Sequence, residues 1–88
     1  MHALVTHVTI DDFDSARANL QENIVPQASQ APGFVAGYWM RFADDRGMAV
    51  GIFESEDAAK AAQEQVRSAP RVGASVTDVE VVEVVAHA

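Results

Sequence analysis

The sequence predicts an α+β fold in the order βαββαβ, an antiparallel four-stranded sheet with two helices on one face. Three observations lead there. Four stretches alternate apolar and polar residues with a period of two, and two others repeat their apolar residues at helical spacing. Capping residues and prolines punctuate the boundaries. The chain has 88 residues, the size of one domain, and 1–88 is read as a single unit.

The first strand is expected over 4–10, with Leu4, Thr6, Val8 and Ile10 on one face and Ala3, Val5, His7 and Thr9 on the other. Asp11 and Asp12 then offer a carboxylate to the orphan amides of a helix start, and acids in a first turn suit the helix dipole. Phe13, Ala16, Leu20, Ile24 and Ala28 form one apolar stripe. Pro26 lacks a donor and crowds the preceding turn, so it should kink or break this helix. Pro32-Gly33 ends the segment, and a strand follows over 34–42.

Asp44-Asp45-Arg46-Gly47 reads as a four-residue turn, and 48–54 as the returning strand of a hairpin. That loop sets Ala43 opposite Met48, Met40 opposite Gly51 and Tyr38 opposite Phe53. Ser55 is a good N-cap, followed by Glu56 and Asp57. The second helix carries Ala58, Ala62, Val66 and Ala69 on its packing stripe, and Pro70 stops it. The last strand is expected over 76–86. Its alternation slips phase between Val81 and Val82, the mark of a bulge or of a strand that leaves for a partner's sheet.

This order is the ferredoxin-like split architecture. Two helices cover one face of the sheet and leave the other bare, yet Val5, Met40, Phe42 and Phe53 lie on that bare face in the expected register. An open apolar face marks an interaction surface. A homodimer, sheet on sheet around a shared barrel, is the expected assembly, and the 49% apolar content points the same way.

Charge and composition exclude several classes. Six basic against thirteen acidic residues give a formal charge of −7, which disfavours nucleic acid and anionic membrane surfaces. No apolar run is long enough for a membrane helix, and no secretory leader is visible, so a cytoplasmic protein is expected. The absence of cysteine removes disulfide, zinc-finger and thiol-nucleophile chemistry. Many alanines and valines, with arginine preferred to lysine, suggest a bacterial source.

Pro26, Pro32-Gly33-Phe34 and Phe53-Glu54-Ser55-Glu56-Asp57-Ala58 together resemble the antibiotic-biosynthesis-monooxygenase-like superfamily of dimeric α/β barrels. The element order matches over nearly the whole chain and the specific motifs over about a quarter of it. The resemblance implies cofactor-independent oxygenation of a small aromatic substrate, with haem degradation as another activity in the family. Many members carry a histidine or tryptophan in the second helix, and haem degraders need a histidine after that tryptophan. Here Ala58-Ala59-Lys60-Ala61-Ala62-Gln63 has neither, and the next histidine is His87. Haem degradation is therefore not expected, and no cofactor is.

His7 is the side chain best suited to chemistry. Its alternation places it inside the proposed barrel, where an imidazole could take the proton of a phenol or hydroquinone that then reduces O₂ itself. The other reading is a histidine hydrogen-bonded across the subunit interface. Tyr38, Met40, Gly51 and Phe53 would wall the pocket, with small residues opposite large ones leaving room; more often such a set is simply packed core. Trp39 and Arg41 belong to the other face and cap the helix layer, unless the turn is misread by one residue. His2, His7 and His87 match no metal-ligand spacing, and no metal site is expected. Three readings follow: a cofactor-free monooxygenase with His7 as base, a non-catalytic small-molecule-binding or stress-associated dimer, or a purely structural dimer with a filled barrel.

Overall fold

The computed structural model describes residues 1–88. Its elements are β1 (His2–Ile10), α1 (Phe13–Asn19), a π-helical turn (Leu20–Ile24), α2 (Val25–Ser29), β2 (Phe34–Ala43), β3 (Arg46–Phe53), α3 (Glu56–Ser68) and β4 (Ala74–Glu83). The strands lie in the order β2-β3-β1-β4, and every neighbouring pair is antiparallel. This is the ferredoxin-like arrangement that the element order predicts. No helix is long and apolar enough to cross a membrane.

Both helix starts form for the expected reason. Asp12 is the first cap: its carboxylate accepts from the Ser15 amide at 3.3 Å and from the Ser15 hydroxyl at 2.9 Å. These bonds, the hydroxyl's first, hold its carboxyl below the ordinary aspartate value of 3.8. Ser55 caps α3 by accepting from the Ala58 amide at 3.1 Å.

Pro26 does not break the first helix. The chain widens by one residue ahead of it, and the Val25 amide donates to the Leu20 carbonyl five positions back. A π turn makes room for a ring that has no donor and would otherwise strike the preceding turn. The helical stripe therefore runs on through Ser29.

The hairpin corrects the expected register. Asp44 and Asp45 alone make the turn, so Ala43 pairs with Arg46, Met40 with Met48 and Tyr38 with Val50. Gly51 pairs with Gly37, and Phe53 with Phe34. Tyr38 thus meets a residue three places before the one expected, and an odd shift turns a whole strand over. Phe53 and Gly51 pass from the bare face to the helix face. Trp39 and Arg41 are on the helix face, as the alternation of β2 predicts.

The last strand is corrected too. It starts at Ala74 and ends at Glu83, and its bulge lies at Thr77 rather than at Val81–Val82. Asp78 pairs with His7 and Val76 with Val8, leaving Thr77 between them, where its hydroxyl donates to the His7 carbonyl at 3.2 Å.

Helices and sheet close tightly at one end only. There Leu4, Phe53 and Ala59 form the buried core, and the ring of Phe34 meets that of Phe53 edge-on at 5.8 Å. Only seven of 88 residues are buried, because the sheet's other face is bare and the two layers part towards the other end.

Candidate functional site

The parting of the layers leaves a cavity of about 540 Å³ between the helix-facing side of the sheet and the first helix. That volume lies within the ~300–1,000 Å³ of small-molecule sites. Its floor is low because β3 presents Gly47, Ala49 and Gly51 at alternate positions on this face. Glycine also lets the aromatic rings lie flat: a Cβ at Gly37 would come within 3.0 Å of the Trp39 ring, and one at Gly51 within 3.1 Å of the Phe53 ring. Phe13, Leu20 and Ile24 line the opposite wall from the helical stripe.

Thr6 stands in the middle of the floor. It is the only buried polar residue, 6% exposed, and its hydroxyl enters none of the side-chain hydrogen bonds of the molecule. Three arginines, all exposed, contribute to the lining. Arg41 pairs with Gly47 beside Val8, and its guanidinium lies 3.8 Å over the ring of Phe13. Arg17 follows Phe13 by one helical turn. Arg71 lies just before Gly73, whose carbonyl accepts the Asp11 and Asp12 amides at the helix start. All three arginines line the cavity.

The residues that the sequence singles out do not form one group. His7 is half-buried on the open face, paired with Met48 and Asp78, and does not line the cavity. Tyr38 is on the same face, 63% exposed. Met40 shares that alternation, although it borders the cavity. Gly51 is cavity floor, and Phe53, 4% exposed, belongs to the core and also lines the cavity. The expected wall of Tyr38 against Phe53 is therefore divided by the thickness of the sheet. His2 faces the helices, with its Nε2 3.6 Å from Glu56, so the terminal histidines are divided as well.

The cavity's own residues had a visible signal. Glycine or alanine at every second position of β3 is the pattern of a strand whose face is left open. Thr6, polar within an apolar alternation on β1, is the other.

No protein-family profile matches the chain, and no curated protein does. Solved structures do. MhuD, a haem degrader from Mycobacterium tuberculosis with two haems bound in its active site, superposes with a TM-score of 0.56 at 20% identity, over 97% of this chain and 98% of that one. A MhuD variant with two manganese protoporphyrin IX molecules bound per active site gives 0.56 at 19% identity, over 100% of this chain and 98% of the other. These likenesses establish the fold, the ferredoxin-like α+β arrangement that this chain shares with MhuD. Haem iron needs an axial ligand, most often histidine, and none of His2, His7 and His87 lines this cavity. The residues present do not fit a histidine-ligated haem.

Proposed function

We propose that this chain, which has the fold of the antibiotic-biosynthesis-monooxygenase-like proteins, is one half of a homodimer that binds a small, largely apolar aromatic molecule between its sheet and its first helix. The observation that carries the reading is the cavity of about 540 Å³, floored by Gly47, Ala49 and Gly51 and walled by Phe13 and Trp39. A flat ring fits over small residues and beside aromatic ones, and burying it contributes ~25 cal/mol per Å² of apolar surface.

Binding is favoured over turnover. No histidine, aspartate or glutamate lines the cavity, so no side chain there can serve as a general base. His7 belongs instead to the subunit contact. Tyr38, Met40 and Phe42 on its face are 63%, 44% and 57% exposed, and a second copy would cover them. In that dimer the imidazole hydrogen-bonds at the interface, on the side of the sheet away from the ligand.

Calorimetric titration with naphthol, a neutral aromatic probe, tests the reading. Wild type should bind it, and Ala49→Phe, which fills the floor, should lose at least ~10-fold in affinity while keeping its circular dichroism. Equal binding by the two proteins, or none by wild type, contradicts the reading.

A further inference from the structure

The charges around the cavity are not those of the molecule at large. The chain carries −7, with thirteen acidic residues, yet none of the thirteen lines the cavity, while Arg17, Arg41 and Arg71 do. The pairing is as uneven. Arg46 and Arg67, outside the cavity, each have a carboxylate within 4 Å, at 3.9 Å on Asp45 and 3.1 Å on Glu64. The three cavity arginines have no carboxylate partner. Arg41 is held by the face of Phe13 instead, which fixes the guanidinium without neutralising it. The Thr6 hydroxyl, on the cavity floor and free of side-chain hydrogen bonds, is a further donor there.

We infer that the ligand is an amphipathic organic anion: an aromatic body over Gly47, Ala49 and Gly51, and a carboxylate or similar anionic group held by Arg41 with Arg17 and Arg71. The inference rests on the cavity reading above and adds the charge of the ligand and the residues that recognise it. Three cations without carboxylate partners on the lining of an apolar pocket that holds no acid favour an anion over a neutral ligand. A planar guanidinium already fixed by stacking loses little freedom in gripping a carboxylate with two parallel hydrogen bonds. A neutral aromatic gains only the apolar part of this. Because the rest of the molecule is acidic, the positive field is local to the cavity end.

The test compares naphthoate with naphthamide, nearly the same shape without the charge, by calorimetry at low and high salt. Naphthoate should bind at least ~10-fold more tightly, the ratio for a charge-assisted hydrogen bond, and added salt should shrink the difference. Arg41→Gln should bring the two ligands within ~2-fold of each other while naphthamide affinity holds. Arg71→Gln, in the loop before β4, should lower the naphthoate preference in part, and Arg67→Gln should leave it unchanged. Melting curves confirm that each variant is folded; should Arg41→Gln fail to fold, Arg71→Gln and the salt series decide. Equal binding of the two ligands to wild type overturns this inference and leaves the cavity reading standing. Binding of neither overturns both. A preference that survives Arg41→Gln and Arg71→Gln overturns the assignment to these arginines.

Discussion

Phe53 shows what a single residue contributes and how its role is fixed by its surroundings. Its ring is 4% exposed, lies against Phe34 and packs with Leu4 and Ala59. Phe53→Ala should therefore cost ~3–5 kcal/mol in urea unfolding, the range for emptying an aromatic site in a core. A loss below about 1 kcal/mol would contradict the packing described. In the sequence Phe53 is ambiguous, because an aromatic on a strand reads as pocket wall or core until its partner strand is known. The glycine of Pro32-Gly33-Phe34 is clearer. Gly33 has φ +75°, and a Cβ there would lie 2.9 Å from that of Ala58, so the motif marks a turn against α3 and no chemistry. Asp12 and Ser55 were legible as caps because capping is local: acceptor and amide are three residues apart.

At the scale of elements, the sequence reveals more of what is periodic than of what is paired. Every strand and helix is where alternation or helical spacing places it, within two or three residues at the ends. Register depends on the turn, and Asp44-Asp45-Arg46-Gly47 can be read as four loop residues or as two loop residues with two strand residues after them. The two-residue turn prevails because it lets Arg46 pair with both Ala43 and Thr9, extending the sheet at both sides. That change carried Gly51 and Phe53 to the helix face and with them the location of the site. The π turn before Pro26 is a second case. Proline signals a lost hydrogen bond, but whether a helix ends or widens depends on its stripe continuing, and Ala28 beyond the proline still lines the cavity. Thr77 is the third: the alternation of the last strand shows that it must slip, while the place of the slip follows from pairing with β1.

The whole molecule is a sheet with two different faces. One is closed at the Phe53 end and open at the arginine end; the other presents Tyr38, Met40, Phe42 and Val82 to solvent. Each face has its own prediction. If the open face joins two copies, Phe42→Glu should shift sedimentation from dimer to monomer at micromolar concentration, because a carboxylate cannot be buried there without a partner. A wild-type protein already monomeric at that concentration would contradict the assembly. The cavity is separated from it by the thickness of the sheet, and in the proposed function ligand and partner occupy opposite faces. Amide chemical shifts during a naphthoate titration test it most directly. A ligand in the cavity should change Thr6, Ala49 and Gly51 and the indole of Trp39, with His7, Tyr38 and Glu80, which pairs with Val5 on the open face, unmoved. Changes concentrated at His7, Tyr38 and Glu80 instead, with the Trp39 indole still, would place the ligand between subunits and contradict it.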